Sequence, residues 1–150
     1  MTTSTQISSN QSVVQVDNAS GTLTDISGVA TKVTIEPERE AKETYVFDNE
    51  NAIVTVGKSK VKITVEIVYS SATAEGKALL NAWYYGTATV SKASRTIQID
   101  VPDSSSGSDR YTGEVKLSKP PNFELDASKA DPLILKAEFM NDGTWSYTTI

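Results

Sequence analysis

The sequence predicts a mainly β fold, a β-sandwich or partial barrel of about seven strands with one flanking α-helix at about residues 72–85. Three observations carry this. Runs of strict period-2 alternation recur along the chain, clusters of Gly, Ser, Asn and Asp separate them, and one stretch, TAEGKALLNAWYYGTATV (73–90), has apolar residues at helical spacing. At 150 residues the chain has the size of one domain and can bury a core without disulfide or metal staples.

The elements follow in order. Residues 1–12 (MTTSTQISSNQS) are nearly all polar and read as a flexible arm ahead of a single domain at 13–150. VVQV is a strand, and DNASGTLTDISG (17–28) is a loop of turn formers. From Lys32, Val33 and Ile35 point one way while Lys32, Thr34 and Glu36 point the other, until Pro37 interrupts. EREAKETYVFDNENA (38–52) reads as a long charged loop carrying an apolar knot at Tyr45, Val46 and Phe47.

KVKITVEIVY (60–69) is the clearest strand, with Val61, Ile63, Val65, Ile67 and Tyr69 opposite Lys60, Lys62, Thr64 and Glu66. Ser70, Ser71 and Thr73 offer N-caps to the helix, Glu75 suits its first turn, and Gly86 suits a C′ position. Leu79, Leu80 and Trp83 form its core stripe, and Tyr84 and Tyr85 form an amphipathic rim. TATV, RTIQIDV (95–101) and RYTGEVKL (110–117) read as strands, with a mobile loop, PDSSSGSD, between the last two. After the loop SKPPNFELDASKAD (118–131), PLILKAEFM and TWSYTTI flank NDG as a hairpin.

Composition narrows function. With no His and no Cys, the chain lacks the commonest general base, the commonest transition-metal ligand and every His- or Cys-dependent catalytic constellation. Fourteen basic against 19 acidic residues, a net charge of −5, argue against a basic face gripping phosphates. No segment approaches the roughly 20 apolar residues of a membrane span, and the N-terminus shows no cationic region followed by an apolar run. A soluble chain that starts at Met1, without membrane insertion, is therefore expected.

Motif fragments reduce to structure. Ser59 to Lys62 matches Ser-x-x-Lys, yet it opens a strand, where i and i+3 face opposite ways. Gly76-Lys77 lacks the upstream glycine of a phosphate loop and is followed by Ala78, not Ser or Thr. In DNASGTLTD, Ala19 and Thr22 stand where a calcium loop needs oxygens or its turn geometry. With no secretory leader expected, the sequons NQS and NAS are not expected to be modified. The carboxylates lie on wet faces and in loops, the default for solvated charge, so neither an enzyme nor a bound metal or other cofactor is expected.

The stretch VEIVYSSATAEGKALLNAWYYGTATV resembles the strand, cap, helix and strand of long-tailed phage major tail tube proteins. RYTGEVKL, DASKADPLILKAEF and NDGTW follow in the order that family shows, and GTLTDISGVATKVTI (21–35) is similar to the openings of related tail proteins. The pattern runs over roughly residues 21–149, departing in its final turn, MNDGTW, and in a longer polar arm.

The resemblance implies a structural virion protein whose strands join those of its neighbours in a multi-subunit β-barrel ring. Rings, usually hexameric, stack into the tail tube that delivers the genome. The chain would be made in the host cytoplasm and partner itself and other tail proteins such as tape measure, terminator and tail-tip proteins. DNA would pass without specific binding, since −5 multiplied around a ring repels phosphates. On this reading Thr96, Gln98, Asp100, Glu114 and Lys116 face the lumen, and Glu43, Tyr45, Val46 and Phe47 make the inter-ring contact. Tyr84 and Tyr85 touch a neighbouring subunit, and Leu79, Leu80 and Trp83 stay in the helix core. The alternative is an immunoglobulin-like binding or decoration module, which accounts for the strands but not for the embedded helix.

Overall fold

The computed structural model describes residues 7–8, 10–70 and 76–150. Residues 1–6 and 9 of the expected arm, and the expected helix start with Ser71, Thr73 and Glu75, lie outside the described residues. The described residues form strands β1 (Val13–Asp17), β2 (Leu23–Asp25), β3 (Ala30–Thr44) and β4 (Ile53–Val68), helices α1 (Gly76–Tyr84) and α2 (Ala88–Ser91), and strands β5 (Arg95–Val101), β6 (Asp109–Asn122) and β7 (Ile134–Thr149). All seven strands join one antiparallel sheet in the order β2-β1-β5-β6-β7-β4-β3. The mainly β class, the strand number and the flanking helix are those the sequence predicts. The sheet curves until Val14 of β1, Ile99 of β5 and Val33 of β3 line one groove, but it does not close within the monomer.

Alternation builds the core. Val61, Ile63, Val65 and Ile67 of β4, Leu135, Ala137 and Phe139 of β7, Val115 of β6, Ile97 and Ile99 of β5 and Val14 and Val16 of β1 bury one face of the sheet. Leu79, Leu80 and Trp83 of α1 cover it. Burying each large aliphatic side chain contributes about 1.5–3 kcal/mol, so this face fixes the register of every strand it includes.

Several expectations need correction. The 38–52 loop is largely strand: β3 runs on to Thr44 and pairs with β4 as far as Ile53, leaving only 45–52 as a turn. Its residues are polar on both sides because both sides are wet, so no hydrophobic period marks them. Pro37 is tolerated because β3 is an edge strand. Its partner Val61 sends its N–H toward β7, to Asn141 Oδ1 at 2.8 Å, so the pair is one whose backbone groups point apart and the proline nitrogen faces outward.

TATV is not a strand. Thr87 caps the short helix α2 by accepting from the Val90 N–H at 3.3 Å. Gly86 has no left-handed backbone; a Cβ there would meet Val90 at 2.9 Å and the Ala82 carbonyl at 3.0 Å, so closeness of the two helices requires the glycine. The expected SKPPN loop continues β6 through register shifts to Asn122.

Nor is the final segment a hairpin. β7 passes through Asn141-Asp142-Gly143 as a bulge, β6 advancing two residues from Gly113 to Val115 while β7 moves four from Trp145 to Asn141. Gly143 supplies φ 99, and Asn141 Nδ2 donates to its carbonyl at 2.8 Å. The expected loop 17–28 holds a strand: after a turn at 18–22, in which Asn18 Oδ1 accepts from the Ser20 and Thr22 N–H groups at 2.9 and 3.1 Å, β2 pairs back onto β1.

Candidate functional site

The face of the sheet opposite the helix is largely polar, with Met140 between Lys62 and Lys116. Two strands carry the same pattern, Lys-x-Thr-x-Glu: Lys32, Thr34 and Glu36 on β3, Lys62, Thr64 and Glu66 on β4. Because the strands are antiparallel, Lys32 opposes Glu66, Thr34 opposes Thr64 and Glu36 opposes Lys62. β7 adds Lys136 opposite Glu66 and Glu138 opposite Thr64. Lys136 pairs with Glu66 at 3.3 Å, and Lys62 with Glu138 at 3.6 Å.

Beyond β7 the same face carries Lys116 opposite Met140 and Lys119 opposite Glu138. Thr96 hydrogen-bonds to Glu114, and Gln98 Nε2 donates to Gln15 Oε1 at 2.9 Å. Thr96, Gln98, Glu114 and Lys116 thus lie on this surface at least partly exposed.

Asp100 shares the face but is 1% exposed, which corrects its placement on a wetted wall. Arg110 Nε and Nη2 reach its two oxygens at 2.8 and 3.2 Å, and the Ser104 hydroxyl donates at 2.7 Å. Burial pushes its carboxyl up, and the bonds from Arg110 and Ser104 outweigh this to hold it below the usual range.

The sequence reading passed over Lys62, Glu66, Lys136 and Glu138. The repeated Lys-x-Thr-x-Glu was the available signal, since two copies read in opposite directions are charge-complementary. The face is therefore ion-paired, not uniformly acidic as the net charge suggested.

Two further features stand apart from it. From Glu36 to Lys60 every residue but Ala52 is exposed, because this part of the β3–β4 hairpin pairs only with itself. It ends in Tyr45, Val46 and Phe47, all exposed, Phe47 completely. The Tyr45 hydroxyl donates to Glu43 at 2.7 Å, and that bond raises the phenol above its ordinary value. At the end of α1, Tyr84 is half-buried and meets the exposed Tyr85 edge-on at 4.9 Å. Leu79, Leu80 and Trp83 are buried beneath them.

Solved structures share this architecture over nearly the whole chain. A chain of the anti-feeding prophage baseplate matches with a TM-score of 0.76 at 13% identity, covering 97% of both chains. One from the tail of an empty gene transfer agent particle matches at 0.69 and 13% identity, covering 96% of this chain and 99% of that one. The SPP1 tail tube protein matches at 0.67 and 12% identity, over 97% and 80%. The fold is that of tail tube proteins.

No protein-family model and no curated protein sequence matches the chain, so the likeness is one of architecture. The tail tube fold here rests on burial and pairing, which many sequences satisfy.

Proposed function

We propose that this chain is a structural tail tube subunit, not an enzyme, that assembles with copies of itself into rings and stacks the rings into a channel for a genome. The observation that carries the reading is the coincidence of a full-length tail tube fold with a polar sheet face backed by a buried core and helix. Such a face wants either bulk water or a water-filled lumen. The particles of two structural neighbours are described with six-fold symmetry, which supports a ring of six.

In the proposed ring the outer edge of β3, unpaired among the described residues, offers its backbone groups to a neighbouring subunit's sheet. Thr96, Gln98, Glu114 and Lys116 join the β3, β4 and β7 charges on the channel wall, past which DNA moves without specific binding. The hairpin end with Glu43, Tyr45, Val46 and Phe47 reaches the next ring, a head-to-tail contact that does not close and so propagates a filament. Tyr85, with Tyr84 behind it, meets the adjacent subunit. Residues 13–150 act as one unit. Tape measure, terminator and tail-tip proteins are the other proposed partners, in the virion tail after synthesis in the host cytoplasm.

Electron microscopy of the purified chain over a concentration series tests the reading. Rings or tubes with a central channel are expected. Monomers at every concentration overturn it in favour of a binding or decoration module.

A further inference from the structure

We infer that Glu66 and Glu138 are masks: they make the polar face passive toward a polyanion by occupying its lysines, not by surrounding a polyanion with negative charge. The inference rests on the reading of this face as the surface a nucleic acid meets.

Five lysines share one part of the face. Lys32 and Lys136 flank Glu66 in register, Lys119 opposes Glu138, Lys62 opposes Glu36 and reaches Glu138 by its ion pair, and Lys116 lies beyond, paired with Asp142 at 3.6 Å. Neighbouring strands are about 4.8 Å apart and same-face residues on one strand about 6.6 Å. Without carboxylates these ammonium groups would form a dense cationic patch, and each phosphate they neutralised would release a counterion, the main source of non-specific nucleic acid affinity.

The two carboxylates are placed to prevent this. Their side chains are 20 and 21% exposed, whereas their partners Lys136 and Lys62 are 55 and 39% exposed. The acids lie deeper, between strands, and the lysines arch outward with their charge already balanced. At Lys62 and Lys136 a phosphate approaching from solvent meets paired ammonium groups and gains little by displacing a carboxylate that the sheet holds in place.

The test uses the full chain and a fluorescent DNA duplex at low ionic strength, on the order of 10 mM, where the screening length is about 30 Å. The double variant E66Q/E138Q removes both masks. D48N/E50Q changes net charge equally at the exposed hairpin turn, away from the face. The expected result is that E66Q/E138Q binds the duplex at least about tenfold tighter than the parent, with the gain falling steeply as salt rises, while D48N/E50Q matches the parent. No gain in a folded E66Q/E138Q, or an equal gain in both variants, overturns the inference. If the double variant fails to fold, E138Q alone, which frees Lys62, carries the same comparison with a smaller expected gain.

Binding is read on unassembled protein and tube formation by microscopy, so the two readings fail separately. A gain without tubes keeps the masks and overturns the channel; tubes without a gain do the reverse.

Discussion

The indole of Trp83 stacks on the ring of Phe139, with centroids 5.5 Å apart and planes inclined by 19°. This contact fastens α1 to the centre of the sheet. Arg95 lies over the same indole at 4.8 Å, and the indole N–H donates to the Ala93 carbonyl at 3.2 Å.

Trp83 therefore serves as the joint between layers. Trp83→Ala is expected to lower unfolding free energy by about 3–5 kcal/mol, as for other large buried aromatics. Combined with Phe139→Ala, the loss should fall short of the sum by about 0.5–1.5 kcal/mol, the energy of the ring pair itself. Urea denaturation of the four proteins in the cycle measures both quantities; strict additivity would show that the stacking carries no energy of its own.

Asp100 gives stability a pH dependence on the acid side. Burial raises its carboxyl, but Arg110 and Ser104 together lower it below the ordinary 3.8. The unfolded chain then takes up this proton first as pH falls below 3.8, so the contribution is complete above that value and is lost as pH drops through the folded one. Asp103, through Ser105 and Ser108, and Asp126, through Ser128, add in the same direction. Asp100→Asn should cost about 1.5–3 kcal/mol at neutral pH, the worth of hydrogen bonds to a charged group. It should also flatten the loss of stability as pH falls below about 4 toward pH 2, measured by denaturant midpoints; an unchanged slope there would assign the acid sensitivity elsewhere.

Legibility in the sequence tracked burial. β4, β5 and the helix were readable because one face of each is apolar and the other wet, and period alone reports that. The outer half of the β3–β4 hairpin has two wet faces, so Ala41, Glu43, Val54 and Val56 follow no rule that a sequence displays, and backbone pairing alone makes them strand. At Asn141-Asp142-Gly143 the local signal for a turn was strong, yet Asn141 bonds across to Val61 and the core continues on either side at Phe139 and Trp145. Tertiary contact overrode turn chemistry there. Of the polar face, the alternation exposed the individual strands; what stayed hidden was their order, which alone brings Lys136 against Glu66.

Gly113 marks the bulge from the opposite strand. A Cβ built there would lie 2.8 Å from the Thr144 carbonyl oxygen and 2.9 Å from the Trp145 ring. The nearer obstacle is backbone, which cannot swing aside, so β6 needs glycine to let β7 cross closely. Gly113→Ala should cost about 1–3 kcal/mol by overpacking, seen as a lower thermal midpoint. A midpoint equal to the parent's would mean that the bulge shifts freely.

The hairpin arm separates folding from assembly. Replacing residues 39–59 by Asn-Gly joins Glu38 to Lys60, which already oppose each other as the hydrogen-bonded pair next to Pro37–Val61, through a two-residue turn that suits antiparallel strands. The deleted segment lies outside the buried core, and two isolated strands add little stability in water. The shortened chain should therefore unfold at the parent's urea midpoint within about 0.5 kcal/mol. Its Tyr45, Val46 and Phe47 are gone, so under the proposed function it should form rings at most and never stacked tubes. Tubes in micrographs of this variant would show that the arm does not join rings. Loss of the folded monomer would show that the arm contributes to the core from a distance, which its exposure argues against.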